Sequence, residues 1–321
     1  MAKSRQPKLP EGGGGKPRGG KLRNMLNADQ WAVYEPPNAA DLKVARIYVN
    51  FGVESGVTLD GKMIRLANKR NLPVVAGDLV YTDGQVVMGI LPRGKVLARY
   101  ADEGGIRMIA SHLDQVGVVA SASDPPFQES FVDRYLVYCR IVGLPLFIVL
   151  NKMDQAVPGI EERLAPFRDA GVSVYPISAR KQTSYPALER RLRKGVTVLS
   201  GLSGVGKSTL INRLLGEEIP VQELTKYGRG KHTTTSSEAY DYGETLLIDT
   251  PGIKKFGLLG VTPDQIIIGF PDLQALGEKC RWPGCMHRTE QDCAVREAAE
   301  AGTIPAIRYR TYLELVESVE T

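Results

Sequence analysis

Gly201-Leu202-Ser203-Gly204-Val205-Gly206-Lys207-Ser208 is a phosphate loop of the form G-x-x-x-x-G-K-S, and Asn151-Lys152-Met153-Asp154, an N-K-x-D element, lies upstream of it. The order of these two stretches decides the fold. The loop follows the apolar run 196–199 and opens a helical pattern over 207–215 that Gly216 stops, which is the strand, loop and helix context a phosphate site requires. Gly201 and Gly206 let the backbone turn so that successive N–H groups face a β-phosphate. Lys207 reaches the β and γ oxygens, and Ser208 offers a hydroxyl to Mg²⁺. The nucleotide-contacting set in this stretch is Gly201, Ser203, Gly204, Val205, Gly206, Lys207, Ser208 and Thr209. The base is read by Asn151, Lys152 and Asp154. A carboxylate at Asp154 accepts from both N1–H and the exocyclic amine of guanine, whereas adenine presents no such donor pair. The base-reading strand usually follows the phosphate-reading strand. Here it precedes it, which implies an α/β P-loop domain that has been circularly permuted.

Further elements fall where such a domain needs them. Asp249-Thr250-Pro251-Gly252 follows the apolar run 245–248. Its Asp249 is placed to hold Mg²⁺ through water and its Gly252 N–H to bond the γ-phosphate. Ser178-Ala179, after the run 172–177, fits a short element whose backbone meets the guanine O6. Between the phosphate loop and Asp249 sits Gly228-Arg229-Gly230-Lys231-His232-Thr233-Thr234-Thr235. A hydroxyl closing over Mg²⁺ and the γ-phosphate belongs in this interval; Thr234 is the choice among three adjacent threonines. Ile253 occupies the place after Gly252 where a glutamine often orients the attacking water. Isoleucine has no polar group for that task. His232 is the nearest alternative, either as a catalytic group that orients or deprotonates water or as a contact to RNA or phosphate only.

The 321 residues are enough for two or three domains, and 43% hydrophobic with 24% charged residues is ordinary globular composition. The net charge of +5 is unevenly spread. Residues 1–27 carry seven Lys or Arg against one Glu, and residues 38–100 carry nine against five. A polyanion suits that N-terminal third, and a solvated tail that only aids solubility is the alternative. Residues 1–27, rich in Gly and Pro, are expected to be disordered in isolation. Short alternating runs at 44–51, 56–60, 62–67, 78–82 and 85–90 predict a small five-stranded barrel, an OB-fold or an SH3-like one. Apolar runs at 116–120, 145–150, 172–177, 196–199 and 245–248, with helical stretches such as 130–142 between them, predict a parallel α/β sheet. The chain shows no apolar leader or spanning segment, so a cytoplasmic protein that does not enter a membrane is expected.

Cys280, Cys285, His287 and Cys293 gather three of the four cysteines and one of the three histidines within fourteen residues. Three thiolates and an imidazole form a complete tetrahedral set for one closed, structural Zn²⁺. Cys139 lies in an apolar helical stretch and reads as core. An apolar-periodic helix carrying Ile307, Tyr312, Leu315, Val316 and Val319 ends the chain.

The order N-K-x-D, S-A, phosphate loop, G-R-G-K-H-T-T-T, D-T-P-G and C-x4-C-x-H-x5-C resembles the ribosome small-subunit-dependent GTPase A (RsgA) family from about residue 41 to the C-terminus. The resemblance implies a multidomain chain: an OB-fold RNA-binding domain, a circularly permuted α/β P-loop GTPase domain and a small α zinc-binding domain. The expected boundaries are a basic tail and lead-in over 1–37, then 38–100, 101–260 and 261–321. It further implies GTP hydrolysis stimulated by the 30S subunit, contact with 16S rRNA, and a part in late 30S maturation by a protein acting as a monomer. Because the chain leaves the GTPase domain just after D-T-P-G, the zinc domain is expected to move as a lever on γ-phosphate loss. Two rival classes make different demands. A metabolic or transport NTPase leaves the basic third and the Cys/His cluster unexplained. An RNA-binding protein with a vestigial nucleotide site is opposed by intact Asp154, Lys207, Ser208 and Asp249.

Overall fold

The computed structural model describes residues 35–100, 106–181, 185–216, 236–252 and 256–320. The basic tail up to residue 34, the loop with His232 and Thr234, and Ile253 lie outside the described residues.

Five strands follow the early alternating runs: β1 (Lys43–Asn50), β2 (Glu54–Leu59), β3 (Lys62–Asn68), β4 (Leu79–Thr82) and β5 (Val86–Ile90). Asp60 and Gly61, both at positive φ (51° and 74°), form the two-residue turn between β2 and β3, a backbone twist that matches the strands it joins. β1 pairs with β2, β2 with β3, and β4 with β5, all antiparallel. β3 meets β5 in parallel, and β4 returns to β1. That parallel contact makes the closure a Greek key, so the barrel is of the OB type. Ile47, Val57, Val80 and Val87 fill it with no exposed surface.

The chain then forms a hairpin, β6 (Leu97–Tyr100) with β7 (Ile106–Ala110). A boundary at 100 therefore cuts a hairpin. Between barrel and hairpin, Asp78 accepts from Arg93 Nε at 2.6 Å and from Ser111 Oγ at 2.6 Å, and Arg93 also donates to Pro73 O at 2.7 Å. Both charged side chains are buried, so each depends on the other.

The main sheet comprises β8 (Gln115–Ser121), β9 (Leu146–Asn151), β10 (Ser173–Pro176), β11 (Thr197–Gly201), β12 (Glu238–Tyr242) and β13 (Thr245–Asp249), in the order β10-β9-β8-β11-β13-β12. All neighbours are parallel except β12, which runs antiparallel to β13. Every residue of β8, β9 and β11 is buried, which is why these strands read as continuous apolar runs. Among the described residues four helices accompany the sheet: α1 (Glu129–Val142), α2 (Ile160–Asp169), α3 (Pro186–Leu192) and α4 (Lys207–Leu215). The turns after β9, β10, β11 and β13 leave the carboxyl ends of parallel strands, so they share one rim of the sheet. Barrel and sheet are continuous, since Val49 of β1 pairs with Glu238 of β12 and Tyr48 donates to Asp241.

A 3-10 segment (Pro263–Gly269) leads to α5 (Pro271–Gly277), α6 (Ala294–Glu300) and α7 (Ala306–Glu320). These helices share the core on the α1 face of the sheet. Arg308 of α7, 3% exposed, pairs with the fully buried Asp133 of α1 and with Asp272 at 3.1 Å, its guanidinium lying 4.2 Å from the centre of the Phe270 ring. Arg140 of α1 donates to Ile268 O at 2.7 Å, and Arg134 to Ser318 Oγ at 3.1 Å. A C-terminal lever swinging free of α1 would strip the buried Asp133 carboxylate of its Arg308 partner, and breaking such a buried pair costs several kcal/mol (about 3–5).

Candidate nucleotide and metal sites

Asn151, at the end of β9, ties three loops together. Its Oδ1 accepts from the backbone N–H of Ala179 at 2.9 Å and of Lys152 at 2.8 Å, while its Nδ2 donates to Val205 O at 2.9 Å. One buried amide thus fixes the base-reading loop, the S-A element and the phosphate loop against one another. Gly206 sits at φ 88°, and a Cβ there would come within 2.3 Å of Asn151 Nδ2, so glycine is required both for the turn and for this approach. A Cβ on Gly201 would come within 2.5 Å of Val119 O.

Asp154 is held by Ser178, whose Oγ donates to Oδ1 at 2.6 Å, with Lys181 Nζ 3.6 Å from Oδ2. The Ser178 hydroxyl and then the Lys181 charge hold the carboxyl below its usual range, so it stays ionised as an acceptor. Lys152 adopts a left-handed backbone (φ 63°) and its ammonium donates to Asp124 O. Lys181 was not singled out from sequence; its place two residues after Ala179 was the available signal.

At the phosphate end, Ser203, Gly204, Ser208 and Thr209 are exposed, while Val205 and Lys207 are buried. Lys207 donates to Asp249 and to Thr250 O. Burial pushes the Asp249 carboxyl up and the Lys207 charge pulls it back. Thr250 is tied to the phosphate strand, donating from N and Oγ1 to Leu199 O at 3.2 and 3.0 Å. Gly252 abuts the loop, with a Cβ position 3.5 Å from Ser203 Cα. All described nucleotide candidates therefore line one rim.

The Cys/His cluster lies between α5 and α6. The ligand atoms of Cys280, Cys285, His287 and Cys293 fall within 4.8 Å of one another. His287 Nδ1 is 3.5 Å from the sulfurs of both Cys280 and Cys293, which are 3.9 Å apart. Tetrahedral bonds of about 2.3 Å to sulfur and 2.0–2.1 Å to nitrogen give S···S near 3.8 Å and S···N near 3.5 Å, so the set fits a single metal ion. His287 has a left-handed backbone (φ 59°), and its carbonyl accepts from Tyr309 OH of α7 at 2.6 Å. Glu290 accepts from the N–H groups of Met286 and Arg288, both at 2.7 Å, which rigidifies the turn.

The family model described as RsgA GTPase matches residues 90–259. A protein of Actinobacillus pleuropneumoniae named small ribosomal subunit biogenesis GTPase RsgA is 37% identical over 281 residues, 81% of this chain and 80% of its own. One of the same name from Chlorobaculum parvum is 39% identical over 235 residues, 72% of this chain and 76% of its own. This chain belongs to the RsgA GTPase family. Two solved structures share its fold at 22% identity: YloQ, described as a circularly permuted GTPase, with a TM-score of 0.62 over 89% of this chain and 98% of that one, and YjeQ from Thermotoga maritima, with 0.61 over 86% and 98%. As an RsgA-family member the chain is a circularly permuted GTPase, and the strand order β10-β9-β8-β11-β13-β12 is its structural expression. No helix among the described residues is long and apolar enough to cross a membrane.

Proposed function

We propose that this GTPase works on the 30S ribosomal subunit in its late maturation, in the cytoplasm and as a monomer, with hydrolysis stimulated by the subunit. The observation that carries the reading is the match, over four-fifths of both chains, to a relative named for small-subunit biogenesis. In this reading Asp154 accepts from guanine, the Ala179 backbone meets O6, and Asn151 and Lys152 hold the base pocket. The N–H groups from Ser203 to Thr209 cradle the phosphates. Lys207, which donates to Asp249 and to Thr250 O, reaches the β and γ oxygens. Ser208, Asp249 and Thr234 hold Mg²⁺, which when bound neutralises charge on the β and γ oxygens. Gly252 senses the γ-phosphate. The domain division is 1–37, 38–100, 101–260 and 261–321, with the second boundary better set before β6 so that the hairpin stays whole. Turnover assays with and without purified 30S subunits test the reading; equal rates overturn it.

RNA contact is assigned to the tail and barrel. The charge excess there supports it, as does the pair at the β1–β2 end, where the Arg65 guanidinium lies 4.4 Å from the Phe51 ring beside Val53, 80% exposed. Backbone charge neutralisation makes such binding salt-dependent, with a slope near 0.7–0.9 per phosphate contacted. Affinity for the 30S subunit is expected to fall steeply with salt, and removal of residues 1–34 to flatten the slope. An unchanged slope removes the tail from the interface.

The cluster at Cys280, Cys285, His287 and Cys293 is assigned one structural Zn²⁺, because three thiolates favour it and no ligand position is left open. Cys285→Ser is expected to lose one metal per chain and loosen α5 to α7, since metal binding there is coupled to folding. Basal GTP turnover should survive. Elemental analysis and proteolysis of residues 261–321 read the two effects; full zinc content in the variant overturns the ligand assignment.

A further inference from the structure

We propose that Tyr135 is a positioning residue for GTP hydrolysis, clamping the two backbone segments that face the γ-phosphate into one register. The proposal rests on the GTPase reading of the site at Gly201–Ser208. Tyr135 lies on α1 and has no exposed surface. Its hydroxyl stands 2.6 Å from Ser200 Oγ, itself buried in β11 one residue before Gly201. Its ring stacks on Phe256, centroids 4.2 Å apart and planes at 24°. Phe256 is the fourth residue after Gly252 and is also fully buried, with Tyr138 edge-on at 5.4 Å. One side chain therefore holds the strand entering the phosphate loop by its hydroxyl and the chain leaving Gly252 by its ring.

Packing alone does not require this arrangement. A phenylalanine at 135 and an alanine at 200 would fill the same interior without two buried hydroxyls that need each other. The paired hydroxyls instead select one setting of α1 against β11. Gly252 already abuts Ser203, and Thr250 is bonded twice to Leu199, so the two segments form one unit on the sheet side. Tyr135 completes that unit from the helix side. Phosphoryl transfer to water depends on positioning more than on covalent help, so a small displacement of Gly252 relative to the phosphate loop is felt in the rate. Ground-state binding draws on many other contacts and is not sensitive to it.

The experiment uses the full chain with Tyr135→Phe, Ser200→Ala, their double variant, and Phe256→Leu, which keeps apolar burial but loses the stack. Single-turnover GTP hydrolysis with saturating 30S subunits, GDP affinity and thermal midpoint are measured for each. Loss of one buried hydrogen bond corresponds to about a fivefold fall in rate. Tyr135→Phe and Phe256→Leu should each show such a fall with GDP affinity held within about twofold, and the double variant should be no slower than the slower single. Unchanged rates in both Tyr135→Phe and Phe256→Leu overturn the proposal. So does a parallel loss of rate and GDP affinity that follows the fraction unfolded, which marks a packing role only. A parent chain that fails to hydrolyse GTP in the same assay refutes the underlying site reading instead.

Discussion

Asp154→Asn is expected to lose GTP affinity by about 1–3 kcal/mol, because the exocyclic amine of guanine loses its acceptor and meets an amide donor instead. The asparagine oxygen can still accept from N1–H, but its NH2 group turns toward the exocyclic amine, donor against donor. The same substitution suits xanthine, whose carbonyl replaces the amine and accepts from that amide. The surrounding geometry should persist. Ser178 Oγ, 2.6 Å from Asp154 Oδ1, can bond an asparagine oxygen as well, and the Asn151 bonds to Ala179 and Val205 do not involve residue 154. The variant should therefore fold with the parent's thermal midpoint, bind GTP about 5 to 150 times more weakly, and prefer xanthosine triphosphate. Nucleotide titrations by fluorescence or calorimetry read both affinities. Undiminished GTP binding would show that the upstream N-K-x-D is not the base reader, and the permuted-site reading would fall with it.

The nucleotide rim was legible because its chemistry is local. A phosphate loop needs glycines at fixed offsets, and Gly206 shows why, since both its positive φ and its closeness to Asn151 exclude a side chain. The buried strands were legible for a related reason: β8, β9 and β11 are covered on both faces and therefore run apolar without interruption. β12 escaped notice because only Ala239 and Tyr242 of Glu-Ala-Tyr-Asp-Tyr are buried, and its partner β1 is a barrel strand nearly two hundred residues earlier. The hairpin of β6 and β7 was missed because the alternating pattern changes after residue 100, inside the hairpin. Asp133 and Arg308 were hidden by their chemistry. A charge on a helix is ordinarily solvated, and complementarity across 175 residues leaves no local trace.

That hidden pair changes how a γ-phosphate signal can travel. With α7 bolted to α1 by Arg308, and α1 touching β11 through Tyr135, the C-terminal helices are continuous with the nucleotide domain's core. Phe256, four residues after Gly252, is seated against α1. In the proposed function, a displacement of α1 would carry with it the helices that flank the Cys/His cluster.

His232→Ala is expected to abolish most of the acceleration given by the 30S subunit while leaving GTP binding intact. Ile253 offers nothing to the attacking water, so unassisted hydrolysis should be slow, as in GTPases whose catalytic group is absent or misplaced. A general base in place contributes about 10² to 10⁴ in rate, and that is the range of the expected loss. His232 adjoins the threonines from which Thr234 is chosen to close over Mg²⁺, so one ordering event on the subunit would bring both to the γ-phosphate. The two substitutions should then differ. Thr234→Ala should raise the Mg²⁺ requirement and disturb loop closure, whereas His232→Ala should leave the Mg²⁺ dependence alone and reduce only the chemical step. Single-turnover hydrolysis with saturating 30S subunits, compared across the parent and both variants at several Mg²⁺ concentrations, separates these effects. Equal stimulated rates for the parent and His232→Ala would assign water activation to a group on the subunit and leave His232 as a contact to RNA or phosphate.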